Sequence, residues 1–360
     1  MFTRFKSIVL QSPLRNIAIN GWIRLNYNSL APKALEVIEK YNYKPASEKE
    51  KRYLILDMLL VQIQYHLDYD EYFIYHVPLR SEKGRQSLVA DADHLKIAEA
   101  MNVPENQILF DDKMRTYDLF SKYYRRTLMK FDDDSDESAS KFETFVKKNP
   151  VFVVKPLDSS GGRSVQRIDL SEQINLKNRY LQLLNDYNGQ FIVEELVIQS
   201  NLLASLHPHS VNTVRMYTIR YDNRIDVIHP CLRIGKGGNF VDNAFSGGII
   251  GSIDVNTGII TAAADERGNT YVTHPDTGKP IIGFMIPCWN EIIELAKELA
   301  QVIPDNRYSG WDLALTDEGW IMIEGNARSQ FIWQIPTQEG FMDELRTIFS
   351  ELGIKKKGIN

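Results

Sequence analysis

The 360-residue chain has two cysteines, Cys231 and Cys288, far apart and in neither metal-ligand nor CxxC spacing. That excludes a disulfide framework and points to a reducing cytoplasm. It lacks any apolar run approaching the roughly 18 to 20 residues that span a bilayer. Its N-terminus opens with Arg4 and Lys6, but Gln11, Pro13 and Arg15 break the apolar stretches, so the core of a secretory signal is missing too. Nor is there an excess of one charge. Lys and Arg number 42 against 47 Asp and Glu, a net charge of −5 that gives no global pull toward nucleic acid. No internal repeat is visible, and no Ser/His/Asp or Cys/His arrangement suggests a covalent nucleophile.

What is present is an ordinary globular composition, 43% hydrophobic and 25% charged, in a chain long enough for one large domain or two to three lobes. Residues 1–110 read as mainly helical. The first forty carry six Lys or Arg against two Glu, with Phe2, Phe5, Ile8, Trp22 and Leu25 interleaved. Such a segment suits a membrane-surface helix or an arm that packs on its own domain. Ser47 with Glu50 has capping-box spacing, which predicts a helix from Ser47 to Tyr65 that is apolar around most of its circumference and hence buried. Lys113–Lys130 reads as a further helix, and the acidic block Asp132–Glu137 as a solvated linker.

After about residue 148 the texture changes to short β-like runs: 151–154, 191–193, 214–220 and 225–228. Hairpins are expected at 251–262, around Asn256-Thr257-Gly258, and at 311–324, around Asp317-Glu318-Gly319. Glu291–Val302 has the period of an amphipathic helix and Met342–Leu352 closes as another, with a frayed tail at 355–357. The pattern is α+β with mostly antiparallel strands behind a helical region.

Two segments carry chemistry. In 151–165, a buried strand ends in Lys155, and Pro156 leads into a Ser/Gly-rich loop with Arg163. Glycines let backbone N–H groups approach a phosphate and the lysine adds positive charge, although the order is the reverse of a Walker loop; a plain turn is the other reading. In 310–326, Asp312 and Glu324 lie on adjacent strands of the second hairpin. Counting from the turn, Asp312 faces Ile323, with Glu324 one residue out of register and Asn326 on the same side as Glu324. Hard oxygens in this grouping suit Mg²⁺ bridging phosphates. The alternative is a solvated hairpin, but acids among Leu, Ala, Ile and Met are costly without a cation.

Together these segments resemble the ATP-grasp fold. The likeness extends to F-D-D-K-M-R-T-Y (110–117) and V-E-E-L-V (193–197). It is closer still to the sugar-transfer-associated ATP-grasp subfamily, related to α-L-glutamate ligases and hexapeptide transferases, through V-N-T-V-R-M-Y-T, R-I-G-K-G-G-N-F-V-D-N-A-F-S-G-G, H-P-D-T-G-K, I-P-C-W and S-G-W-D-L-A-L. It covers about residues 110–340. The resemblance implies two α+β lobes clasping ATP (111–193 and 194–350), behind the helical region and ahead of a tail at 351–360.

It also implies roles. Lys113 and Lys155 would bind phosphates, with the loop Ser159, Ser160, Gly161, Gly162, Arg163 and Ser164 closing over them. Glu194, Glu195 and Val197 would frame adenine. Asp312, Glu324 and Asn326 would hold one or two Mg²⁺. Arg215 and Arg233 would neutralise the γ-phosphate; Asn243, Ser246, Gly247 and Gly248 would lie near the triphosphate; and Arg328 would take a substrate carboxylate or form a salt bridge. Gly310 stands where some ligases of this family have an arginine. Asn201 or Asn212 would serve the ribose. His207 and His209 are expected as surface residues and His274 as a turn organiser. The implied activity is ATP-dependent carboxylate–amine ligation, with a small-molecule or glycan acid and an amine or amino acid as partners. Its setting would be surface-polysaccharide assembly, in the cytoplasm or at the inner face of the membrane. A kinase and a non-catalytic nucleotide-binding module are the other implied classes.

Overall fold

The computed structural model describes residues 15–157, 165–173, 175–238 and 247–355. They form two compact units, one holding the chain up to Ala100 with Arg267–Asn269 and Gln330 onward, the other Met101–Glu266 and Thr270–Ser329. The division falls at Ala100, where the sequence suggested 110, and residues 330–350 join the helical unit.

The helical unit is built on α1 (Arg15–Lys40), α2 (Glu48–Tyr65), α3 (Tyr69–Ile74) and α4 (Asp91–Met101). Ser47 caps α2 as expected, accepting from the Glu50 N–H at 3.2 Å. From α1, Ile23, Ala34 and Ile38 pack with Ile55, Met58 and Leu59 of α2, so the helix turns its apolar side into its own core, as a packing arm does. Residues 1–14 lie outside the described part. No described helix is long and apolar enough to cross a membrane.

The second unit contains α5 (Lys113–Tyr124), α6 (Asp136–Lys148), α7 (Leu176–Asp186), α8 (Trp289–Val302) and two antiparallel sheets. The smaller sheet has the order β1-β4-β2-β3, from β1 (Leu128–Phe131), β2 (Val151–Lys155), β3 (Gln166–Asp169) and β4 (Phe191–Glu195). Phe131, Phe152 and Phe191 from these strands meet Phe142 of α6 and Tyr180 of α7 in an aromatic core.

Two expectations are corrected here. Lys113–Lys130 is not one helix: Arg125 adopts φ +48°, ends α5, and the chain turns into β1 against β4. The acidic block is exposed but is not simply a linker, because Asp136 and Glu137 form the first turn of α6. Acids there complement the helix dipole, and Ser135 caps the helix by accepting from the Ser138 N–H.

The larger sheet runs β10-β9-β5-β6-β7-β8, from β5 (Thr213–Arg220), β6 (Ile225–Ile234), β7 (Ile249–Ile253), β8 (Ile260–Asp265), β9 (Tyr308–Thr316) and β10 (Gly319–Asn326). Both expected hairpins form. In the first, the Asp254 carboxylate accepts from Asn256 and Thr257, and Gly258 takes φ +73°. Val214, Met216, Leu232, Leu313 and Met322 pack on Ile292, Ala296 and Leu299 of α8, which leaves the opposite face of the sheet for polar residues.

Candidate functional site

Directly paired residues of neighbouring strands share a face of the sheet. The register therefore aligns Glu324, Asp312, Arg215, Cys231 and Ser252 in one row across β10, β9, β5, β6 and β7. Asn326, Gly310 and Tyr217 form the next row, while Thr213 and Arg233 flank the first row on the other side. Glu324 reaches this position through a β-bulge. Pairing from Trp320↔Leu315 would set Ile323 against Asp312, but the register shifts between Met322 and Glu324 and puts Glu324 there instead.

Asp312 is fully buried and held by arginine. Arg215 donates from Nε to Oδ1 at 2.6 Å and from Nη2 to Oδ2 at 2.7 Å, and Arg233 Nη2 lies 3.1 Å from Oδ2. Burial alone would raise the Asp312 pKa, but the two guanidinium charges hold it below the usual carboxylate range. Glu324 differs. Its side chain is reachable by solvent, yet protein atoms crowd its carboxyl. Its pKa is raised, by that desolvation first and by Asp312 next, with Lys155, Arg215 and Arg233 opposing. Among the described residues no hydrogen bond or ion pair engages Glu324, and the Asn326 Nδ2 is buried without a partner.

These residues fit a hard cation in one respect and limit it in another. Glu324 and Asn326 offer oxygens two residues apart on one strand, and the crowded carboxyl forms no ion pair among the described residues. Asp312 already has its charge matched by two arginines, so Arg215 and Arg233, expected on a phosphate, are found on Asp312. No group of three or more His, Cys, Asp or Glu among the described residues could hold a metal.

Across from this row stands the smaller sheet. Lys155, at the end of β2, pairs with the Glu194 carboxylate. Glu194 also accepts from Arg126 Nε at 2.5 Å. Against the upward pull of burial, Arg126 and then Lys155 hold the Glu194 pKa down to about 2. Glu195 accepts from the Thr127 N–H and hydroxyl at 3.0 and 2.8 Å and from Asn149 at 3.2 Å. Both acids expected around adenine thus have their carboxylates on protein partners, with Val197 half-buried just beyond β4. Lys113, on the first turn of α5, donates to the Leu157 carbonyl at 2.7 Å, at the mouth of the Ser/Gly-rich loop.

Ser159, Ser160, Gly161, Gly162, Arg163, Ser164, Asn243 and Ser246 lie outside the described residues. Gly247 takes φ +90° and Gly248 leads, buried, into β7. Arg328 pairs with Asp111 at 3.0 Å on the surface. The place of Gly310 is closed: a Cβ there would sit 2.6 Å from Ser329 Cβ and against its hydroxyl, so no larger side chain fits without movement of that segment.

His207 is corrected: it is buried, joined through Nδ1 to Ser210 Oγ and through Nε2 to the Gly237 carbonyl, both at 2.9 Å. His209 is exposed as expected. His274 organises its turn, accepting from the Asp276 N–H at Nδ1 and donating from Nε2 to the Gly235 carbonyl at 2.8 Å. Asn201 is exposed. Asn212 is buried and committed to Gln199 and to the Leu203 and His207 carbonyls. Sequence reasoning missed Arg126. Its only signal was an Arg-Arg pair at what looked like the middle of a helix.

The model of the sugar-transfer associated ATP-grasp family matches residues 94–349. Among curated proteins, none matches the sequence. Solved structures that resemble the chain include the ATP-grasp ligase PsnB with its minimal precursor, at 12% identity and a TM-score of 0.44, over 70% of this chain and 64% of that one. D-alanyl-alanine synthetase A from Vibrio cholerae aligns at 13% identity and a TM-score of 0.43, over 70% and 67% of the two chains. VanG D-Ala:D-Ser ligase from Enterococcus faecalis does so at 16% and 0.43, over 67% and 61%. The chain thus spans less than two thirds of the PsnB chain.

Proposed function

From the premise that the chain belongs to the sugar-transfer associated ATP-grasp family, we propose that it is an ATP-dependent carboxylate–amine ligase working through an acyl phosphate. The observation that carries this reading is the juxtaposition of Lys155 with the row Glu324–Asp312–Arg215: a lysine ends one sheet and a carboxylate–arginine array fills the facing surface of the other. In the proposed reaction an oxygen of the substrate carboxylate attacks the γ-phosphorus of ATP, the bond to the ADP oxygen breaks, and ADP leaves. The amine then adds to the acyl carbon, phosphate departs, and the amine loses a proton.

In this reading Lys113 and Lys155 bind phosphate oxygens, the 159–164 segment would close over them, and the backbone through Val197 meets the adenine. Glu324 and Asn326, with Asp312 beside them, would hold Mg²⁺, which when bound screens phosphate charge. Arg215 and Arg233, fixed by Asp312, present a rigid positive surface to the developing oxyanion. Gly247, Gly248 and Arg328 line the acid's approach. The proposed substrates are a uronic or related acid and an amine or amino acid in surface-polysaccharide assembly, handled in the cytoplasm or at the inner face of the membrane.

One observation favours a second reading. The closure of Gly310 by Ser329 leaves no room for the arginine that assists some ligases, so a kinase acting on a hydroxyl is the competing class. Incubation with ATP, Mg²⁺, a panel of uronic and amino acids and hydroxylamine separates them. Hydroxamate with ADP is expected. ADP with a stable phosphorylated product and no hydroxamate would replace the ligase by a kinase.

A further inference from the structure

Glu194 is a buried carboxylate with two cations, and the two are held very differently. Arg126 is almost wholly buried. Besides Glu194, its Nη1 donates to the Tyr124 carbonyl at 3.0 Å and the Met322 carbonyl at 2.6 Å, and its Nη2 lies 3.5 Å from the Ile323 carbonyl. Those last two carbonyls belong to the bulge that sets Glu324 opposite Asp312. Arg126 therefore ties β4 of one sheet to β10 of the other, with its planar fork fixed on all sides. Lys155 is about a fifth exposed and carries its charge on a flexible stem. It lies close enough to Glu324 to influence its ionisation.

We infer that Arg126 is a positioning residue that makes Lys155 transferable: it neutralises Glu194 permanently, so that Lys155 can leave Glu194 for a nucleotide phosphate. Without Arg126, release of Lys155 would strand a buried, unpaired carboxylate, so the lysine would stay where it is. With Arg126, Glu194 keeps one charge-assisted partner in either state, and Lys155 exchanges one anion for another. This rests on the nucleotide reading above. It adds a residue that touches neither nucleotide nor acid and acts through Glu194.

The test is calorimetric titration of ADP into the full chain and three variants, which reads binding without turnover. Arg126→Met is expected to weaken ADP binding about ten- to a hundredfold. Adding Glu194→Gln to Arg126→Met removes the carboxylate that traps Lys155, and should return affinity to within about threefold of wild type. Glu194→Gln alone should bind at least as tightly as wild type. A merely structural Arg126 predicts the opposite for the double variant, binding as weak as Arg126→Met. That result, unaltered binding by Arg126→Met, or a tenfold loss in Glu194→Gln would each overturn the inference. If Arg126→Met fails to fold, the double variant, which leaves neither buried charge unpaired, still decides it: affinity within about threefold of wild type supports the inference and a tenfold loss overturns it. A wild-type protein that takes up no ADP would instead overturn the nucleotide reading itself.

Discussion

Glu71 of the helical unit and the acids Asp312 and Glu194 of the sheet unit are buried in opposite ways. In the sheet unit, Asp312 and Glu194 are each matched by guanidinium groups, and their pKa values are depressed. In the helical unit, Glu71 is buried without a close cation. It accepts from the Asp68 and Asp91 N–H groups at 2.8 Å each, joining the starts of α3 and α4, and its pKa is raised to about 8 by burial and then by Asp68. Backbone N–H groups satisfy its lone pairs but supply no net charge to offset desolvation. A second contrast runs alongside. Buried side-chain polar atoms of Asn306, Trp320, Asn326 and Ser329, all in the sheet unit, have no hydrogen-bond partner among the described residues. Among the described residues the helical unit leaves no such atom, whereas in the sheet unit Asn326 lies beside Glu324 on the face proposed to take the ligand.

The largest effect that would break this comparison is Asp312→Asn. It leaves Arg215 and Arg233 facing a neutral amide in a fully buried place. It should cost about 3–5 kcal/mol in a denaturant titration, as well as abolishing turnover. Glu324→Gln, one strand away, should also abolish turnover but leave stability unchanged or higher, because the charge it removes is the one its surroundings disfavour. If the two variants lose stability equally, the division between an arginine-matched and an unmatched acid does not hold.

The next effect is on pH dependence, where the units should differ in sign. The folded pKa of Glu71, about 8, lies above its ordinary 4.5, so its contribution is complete below pH 4.5 and lost as pH rises through 8. For Glu194 the folded value is about 2, so its contribution is complete above pH 4.5 and lost as pH falls through 2. Glu71→Gln should therefore gain stability relative to wild type at pH 8 more than at pH 5, read from melting temperatures at the two pH values. Glu194→Gln should show no such difference over that interval. Equal pH dependence in both variants would remove the contrast.

The sequence showed the strands, both hairpins and α8 because each rests on local signals: turn glycines, alternation and a helical period. The Asp312–Glu324–Asn326 hairpin was legible for the same reason. Three things were not. The bulge at Ile323 inserts a residue that counting from the turn cannot anticipate. Arg126 acts on Glu194 and Met322, 68 and 196 positions along the chain, and no local pattern announces those partners. His207 looked like a surface residue because its insertion is polar, yet Ser210, Gly237 and the neighbouring ring of His274, 5.5 Å away, bury it. Pairing across long separations is what single-sequence periodicity lacks, and here it decided which acids were matched.

The smallest of these effects concerns Gly310 and the partnerless hydroxyl of Ser329. A methyl group at 310 would meet Ser329 Cβ at 2.6 Å, and the strand cannot give way because Gly310 is paired to Asn326 on one side and Tyr217 on the other. Gly310→Ala should therefore cost about 1–3 kcal/mol as overpacking. Ser329→Gly removes the opposing side chain, so the double variant should recover most of that loss although Ser329→Gly alone recovers nothing. Such non-additivity is the signature of direct contact. In the helical unit, Gly21 has open space where a Cβ would stand, and Gly21→Ala should be neutral or slightly stabilising by helix propensity. If Gly310→Ala proved equally harmless, Ser329 would be free to move away. The place beside Asp312 would then be open to a side chain or substrate group, and the structural ground for the kinase reading would be gone.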